Sequence, residues 1–277
     1  MPRVAVVGHV EWVEFARVSH VPTPGEIVHA SEWWQEAGGG GAVAAVQLAK
    51  LAGGAEFFTA LGDDALGRRS QERLEELGVT VYAAARSGPQ RRGYVHLDAD
   101  GERTITILGE RIVPRADDDL PWERLDDVDA VYFTGGDVGA LEHARRARRL
   151  IATPRAFDTL RASDVKLDAL VRSSHDLGEQ HAEQELEPAP DFVVSTAGKE
   201  GGRWAGKDHT TGTWKAADLP GPKGDAYGAG DSFAAGLTYG FGADLPIEKA
   251  VAVASRAGAW KLAGRAVYDG QLTADEL

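Results

Sequence analysis

Short apolar runs closed by glycine alternate along this chain with segments whose apolar residues recur every three or four positions. Val4-Ala5-Val6-Val7 stops at Gly8, the pattern of a strand buried on both faces of a parallel sheet. Behind the glycines at 38–41, Ala42, Val46, Leu48, Ala49 and Leu51 mark the inner side of a helix. Phe57 to Gly62 reads as a strand, Arg68 to Leu77 as a charged helix halted by Gly78, and Ala130 to Phe133 as a strand. Ala144 to Leu150 reads as an arginine-rich helix, and Phe192 to Ser195 as a strand opening onto a glycine loop. Such alternation predicts a doubly wound α/β fold with a mostly parallel central sheet flanked by helices.

Two stretches depart from it. Tyr94 to Leu97 and Thr104 to Ile107 alternate polar and apolar residues around Asp98-Ala99-Asp100-Gly101, a hairpin signature. Together with Glu26 to Trp34 they predict a small β-sheet standing off the core as a lid. The expected division is a core of residues 1–9, 35–90 and 109–277 and a lid of residues 10–34 and 91–108, with no internal repeat and no low-complexity linker.

Composition narrows the partners. At 277 residues and 43% hydrophobic, the chain can bury one large core with an appendage. Thirty basic against 43 acidic residues give a net charge of −13, which argues against nucleic acid or an anionic membrane. The absence of cysteine removes disulfides, thiolate catalysis and Cys-ligated zinc. The start turns at Gly8 before a signal-peptide core could form, and no apolar run reaches membrane-spanning length, so a soluble, cytoplasmic protein is expected. Arg145, Arg146, Arg148 and Arg149 read as a solvated helix face rather than an anion site.

The chemistry concentrates in residues 224–236, GDAYGAGDSFAAG. If a helix starts near Gly230, the N–H groups of Ala229, Gly230 and Asp231 lie ahead of its hydrogen-bond ladder and point out of its positive end. Small side chains then let an anion approach the backbone. Asp231 places a carboxylate beside that anion, ionised by the helix end and able to accept a proton from an alcohol. Amides for a phosphoryl group and a carboxylate for a hydroxyl suit phosphoryl transfer. Taken alone, Gly-Ala-Gly-Asp is better explained by an ordinary helix start after a glycine turn.

The stretch from Asp225 to Phe233, followed by Gly236, resembles the C-terminal signature of the PfkB (ribokinase-like) carbohydrate kinases. Gly38-Gly39 leading into Ala44, Val46, Leu48, Ala49 and Leu51 looks like that family's N-terminal glycine signature. Gly62-Asp63-Asp64 with Gly67, Gly78-Val79, Asp176-Leu177-Gly178-Glu179, and Thr196-Ala197-Gly198 with Gly201 follow in family order. The resemblance covers essentially the whole chain. It implies a Rossmann-like core with a β lid, and transfer of the γ-phosphoryl of ATP to a hydroxymethyl group with Mg²⁺. Asp231 would be the base, and Gly228, Ala229 and Gly230 its anion hole. Thr196, Gly198, Gly201 and Asp225 would serve the nucleotide. Glu179 and Asp176 would act on magnesium through water, which their hard oxygens suit; by spacing alone they are an acidic helix face. His175 and His181 read as solvated, since no metal motif frames them. The resemblance also allows a monovalent cation such as K⁺ and a homodimer through the lid.

Departures bear on the acceptor. Where the family commonly carries an asparagine and an aspartate for sugar hydroxyls, Glu11, Trp12, Val13 and Glu14 follow the first strand, and Val43 stands where another asparagine is usual. With Glu11, Val13, Gly39, Gly40, Val43 and Asp231 around the acceptor, carboxylates would repel a phosphorylated sugar, so a neutral sugar, polyol or nucleoside is expected. A Rossmann dehydrogenase is disfavoured because Ser31 to Glu36, ahead of Gly39-x-Gly41-x-x-Ala44, is no buried parallel strand. The non-enzymatic alternative is a small-molecule sensor on the same fold.

Overall fold

The computed structural model describes residues 1–176, 179 and 186–277. Strands β1 (Val4–Val7), β4 (Ala55–Gly62), β5 (Val79–Arg86), β8 (Ala130–Phe133), β9 (Arg149–Ala152), β10 (Ala169–Ser173) and β11 (Phe192–Thr196) run parallel. Strands β12 (Gly202–Gly206) and β13 (Thr211–Trp214) extend them antiparallel at one edge. The order among the described residues is β13-β12-β11-β10-β9-β8-β1-β4-β5. With β4 on one side of β1 and β8 on the other, the winding reverses at β1, and a crevice opens beyond the carboxyl ends of the strands there.

Alternate residues of β1 feed opposite layers. Val4 and Val6 join the side chains of helices α1 (Gly40–Ala52), α5 (Ala229–Gly242) and α6 (Ile247–Ala263), including Leu48, Leu237 and Val251. Ala5 and Val7 face the layer containing Trp122 and Leu141, the latter in α3 (Val138–Ala144). Helix α2 (Ala65–Glu76) covers the β4–β5 edge, with Asp64 capping it by accepting from the Gly67 N–H at 2.8 Å. No helix among the described residues is long and apolar enough to cross a membrane.

A separate four-stranded sheet is ordered β3-β2-β6-β7, from β2 (Glu11–Arg17), β3 (Glu32–Gly38), β6 (Arg92–Leu97) and β7 (Arg103–Leu108). The expected hairpin is β6–β7, closed by Asp98, whose carboxylate accepts from the N–H groups of Asp100 and Glu102 at 3.0 and 2.9 Å. Phe15 of β2 locks this sheet to the core. Its ring stacks on Trp34 at 5.1 Å and meets Tyr227 edge-on at 5.0 Å.

Two expected elements differ. The strand expected at Glu26 to Trp34 begins only at Glu32 and runs on to Gly38, because Thr23 and His20 bond the Glu26 carboxylate and hold a turn ahead of it. Helix α3 ends at Ala144, where a helix was expected to begin. Arg145 turns back to donate to the carbonyls of Ala147 and Arg148 at 2.8 and 3.0 Å and to Asp168 at 2.6 Å, and β9 follows at Arg149. The arginine run is therefore a ring of ion pairs: Arg146 with Asp126, Arg148 with Asp129 and Asp244, Arg149 with Asp168. It is not a solvated helix face.

Phe15→Ala removes a fully buried ring from the junction of the two sheets. A loss of about 3–5 kcal/mol of unfolding free energy is expected in urea titration.

Candidate active site

A cavity of about 1210 Å³ lies at the carboxyl ends of the parallel strands. His9 follows β1, Thr134 follows β8, Thr153 follows β9, and Ser173 and Thr196 end β10 and β11; all five line it. Ile105 and Ile107 of β7 close it from the small sheet. A space of this size accommodates two ligands side by side.

Helix α5 starts at its floor. Gly228 holds the N-cap at φ 78°, and the first ladder bond runs from the Ser232 N–H to the Gly228 carbonyl at 2.9 Å, so the N–H groups of residues 229–231 precede the ladder. A Cβ built on Gly230 would meet nothing within 4 Å, so the backbone there is open to the cavity. Asp231 lines the cavity opposite the start of α1, where a Cβ on Gly40 would come within 2.7 Å of its Oδ1. The Gly39 N–H donates to the Tyr227 hydroxyl at 2.9 Å, tying the two helix starts together. Gly228, Gly230, Asp231, Gly39 and Gly40 thus meet in one place, while Ala229 is not among the cavity-lining residues and its N–H donates to the Ala226 carbonyl at 3.5 Å.

The surroundings act on the Asp231 carboxyl in the direction opposite to the helix end. Burial raises its pKa above the ordinary aspartate value, and Glu179 adds to the rise; Arg103, Arg155 and Arg111 only partly offset them. The carboxylate is a stronger base than a surface aspartate.

Arg91, Arg103, Arg111 and Arg155 line the cavity, as does Arg172, beside the carboxylates of Glu11, Asp176, Glu179 and Asp231. Arg111 is held by the carbonyls of Thr134 and Arg155 at 2.9 and 2.8 Å, and donates to His9 Nδ1 at 3.0 Å. Burial, Arg111 and Arg91 push the His9 pKa well down, so the ring is neutral. Because guanidinium only donates, the His9 proton sits on Nε2, facing Glu11 at 3.8 Å. Arg91 Nε lies 3.1 Å from Glu11, and Arg103 donates to the Ala226 carbonyl at 2.8 Å. Arg91, Arg103, Arg111, Arg155 and His9 are functional candidates that sequence reading missed. They are scattered from residue 9 to residue 155 with no local spacing, and only the placement of Arg91 and Arg103 at the two strands of the hairpin hints at them.

Several acceptor residues are misplaced by the sequence. Glu11 lines the cavity, but Glu14, one register step beyond Val13 on β2, is ion-paired with Arg92 outside it. Val13 packs beneath Gly38 and Gly93, Val43 packs against Gly228, and Trp12 lies under the Arg69 guanidinium; all three are buried away from the cavity. None of the three reaches the cavity, and without Glu14 the expected carboxylate pair is not formed there.

On the other side, Thr196 and Gly198 line the cavity with His175, Asp176 and Glu179. Gly201 does not; its positive φ of 90° turns the chain into β12, where a Cβ would strike the Trp214 carbonyl at 2.0 Å. Asp225 is 1% exposed and pairs with Lys261 at 3.3 Å, so it supports the loop from below instead of contacting a nucleotide. Leu177, Gly178 and His181 lie outside the described residues. Asp176 and Glu179 converge on one cation, the Arg155 guanidinium, at 2.6 and 2.7 Å. The Ser173 N–H holds the second Glu179 oxygen at 2.7 Å. Two carboxylates already gathered around a positive charge fit a hydrated magnesium ion. Among the described residues no group of three or more acids and histidines could hold a metal directly.

The pfkB family carbohydrate kinase model matches residues 1–171 and 150–273, and the chain belongs to that family. Over 298 aligned residues it is 28% identical to the ATP-dependent ribose-1-phosphate kinase of Halopiger xanaduensis, covering 99% of this chain and 96% of that protein. Ribokinase from Thermotoga maritima superposes with a TM-score of 0.78 at 21% identity, covering 100% and 98% of the two chains. Ribokinase from Arabidopsis thaliana, complexed with ribose and ATP, gives 0.76 at 18% identity, covering 99% and 97%. The fold is thus that of the ribokinases.

A buried carboxylate with a raised pKa opposes folding once it ionises. Its cost is absent below the unfolded aspartate pKa, grows as pH rises towards the raised folded value, and is complete only above that value. Asp231→Asn is expected to melt higher than the parent protein at pH 7, by about 2–4 °C for each kcal/mol removed, with the gap closing in acid. The same variant is expected to lose phosphoryl transfer while still binding ADP, checked by calorimetry.

Proposed function

We propose that this chain transfers the γ-phosphoryl group of ATP to the hydroxymethyl group of a sugar that already carries a phosphate. The observation that carries the reading is the convergence of Arg91, Arg103, Arg111 and Arg155 on the cavity that holds Asp231, in a chain of net charge −13. Guanidinium groups bind phosphate by paired charge-assisted hydrogen bonds, and Arg103 and Arg111 are hydrogen-bonded to carbonyls and an imidazole, which leave their charge available to an anion. The Halopiger relative, whose name specifies ribose 1-phosphate, supports the same class of acceptor. The neutral acceptor expected from Glu11 and Glu14 loses its basis, since one is matched by Arg91 and the other lies outside.

In this reading the acceptor hydroxyl attacks the γ-phosphorus. The new O–P bond forms as the bond to the ADP oxygen breaks, and the hydroxyl proton passes to Asp231. The amides of Gly230 and Asp231, ahead of the helical ladder, receive the equatorial oxygens in transit. Thr196 and Gly198 lie on the donor side. Asp176 and Glu179 would orient the water shell of Mg²⁺, which when bound neutralises the charge on the β- and γ-phosphates. Arg155, released from those carboxylates, becomes available to phosphate. The small sheet acts as a lid that excludes water, and its outer strand β7, exposed along its length, is the surface where a homodimer would form.

The deciding measurement is kcat/KM for ADP formation with ribose 1-phosphate, ribose 5-phosphate and fructose 6-phosphate beside ribose, inositol and common nucleosides. A preference for a phosphosugar is expected, and it should fall by about 10–100-fold in Arg91→Met and Arg103→Met without a matching loss on neutral sugars. Preference for a neutral acceptor would overturn the phosphate reading and leave the kinase intact; no ADP with any acceptor would favour the sensor alternative. Glu179→Gln is expected to raise the magnesium concentration needed for half-maximal rate more than the acceptor KM, as read from magnesium titrations.

A further inference from the structure

Beneath the catalytic loop lies a charge that phosphoryl transfer does not touch. Lys261, in the last turn of α6, is 0% exposed, and its Nζ lies 3.3 Å from Asp225 Oδ1. The same oxygen accepts from the Tyr227 N–H at 3.0 Å, while the buried Oδ2 has no hydrogen-bond partner among the described residues. The backbone is clamped to the end of the same helix: the Gly224 N–H donates to the Leu262 carbonyl at 2.9 Å and the Asp225 N–H to the Gly264 carbonyl at 3.0 Å. A carboxylate with a spare oxygen, set against the negative end of a helix, is a place where a positive charge is required. The chain fills it with its own ammonium.

We propose that Lys261 is a positioning residue that serves as a tethered monovalent cation: through Asp225 it fixes the 225–228 turn and so the amides and carboxylate at the start of α5. The linkage can be followed atom by atom. Lys261 holds Asp225, Asp225 holds the Tyr227 N–H, and the Tyr227 hydroxyl receives the Gly39 N–H. The adjoining Gly40 lies against Asp231 Oδ1. Burial lowers the Lys261 pKa, and the neighbouring Asp225 carboxylate offsets part of that fall. Its catalytic part rests on the kinase reading above. Its electrostatic part does not.

If Lys261 does this work, the parent protein gains nothing from K⁺ over Na⁺ or choline, in melting temperature or in rate. Truncation in Lys261→Ala leaves a small cavity lined by carboxylate and carbonyl oxygens, which a free cation can enter. The variant is expected to melt lower, to lose about 100-fold in kcat with little change in KM for ATP, and to regain both stability and kcat in K⁺, ammonium or methylammonium but not in choline at equal ionic strength. A merely structural lysine would give a lower melting temperature with no cation selectivity. Strong K⁺ activation of the parent protein, or rescue of the variant by choline as well as by K⁺, overturns the proposal. If Lys261→Ala does not fold, the charge-compensated Lys261→Met/Asp225→Asn protein decides it. Stability near the parent's with kcat still depressed and no cation response supports a positioning role, and full recovery of kcat overturns it. The melting experiments need no acceptor. A protein that makes no ADP yet shows cation-selective stabilisation of Lys261→Ala would refute the kinase reading and leave the tethered cation standing.

Discussion

The close approach of two helix starts governs this molecule. Helices α1 and α5 both begin on the cavity floor, and their first turns must come near enough for the Tyr227 hydroxyl to bind the Gly39 amide and for Asp231 to rest against Gly40. A side chain at Gly40 would occupy the position of the Asp231 carboxylate, and one at Gly228 would lie 2.8 Å from the Val43 methyl, at a φ that L-residues avoid. Two positive helix ends converge there with arginines and with the carboxylates of Glu11, Glu179 and Asp231. Desolvation raises the Asp231 pKa, and the arginines offset part of the rise. The same opposition explains why the site tolerates so much like charge: each guanidinium is anchored by a carbonyl or a carboxylate of the wall.

The parallel core is legible in the sequence because its strands are doubly buried and therefore continuously apolar. Val4–Val7 and Ala130–Phe133 are found at their true limits for that reason. The arginine run at 145–149 misleads because its composition favours a helix in isolation. Its true conformation is imposed by Asp168, Asp126 and Asp129, partners that local sequence cannot reveal. The edge strands β12 and β13 are short and polar, with glycine at Gly202, Gly206 and Gly212, and carry almost no periodic signal.

At the site, the division falls between chain-local and assembled features. Asp231 and its glycines are contiguous, so their chemistry can be read before any fold is known. The arginines are not, and without them the glutamates that follow the first strand suggest the wrong field. Only when β1, the β6–β7 hairpin, the segment after β7 and the end of β9 are brought together do the arginines share one wall. Glu14 illustrates the pleat at work. Next in sequence to a buried valine, it emerges on the opposite side of β2 and meets Arg92.

The tip of the hairpin reaches past the cavity mouth to the loop that carries the anion site. The Ala226 N–H donates to the Gly101 carbonyl at 3.2 Å, and Arg103 donates to the Ala226 carbonyl at 2.8 Å. Swinging the small sheet away as a rigid body must break both bonds, so the loop is slackened by the same movement that lets bulk water in. In the kinase reading, access and readiness would then be mutually exclusive: a nucleotide alone beneath a raised hairpin would face solvent at the moment when the groups that would act on it are least well held.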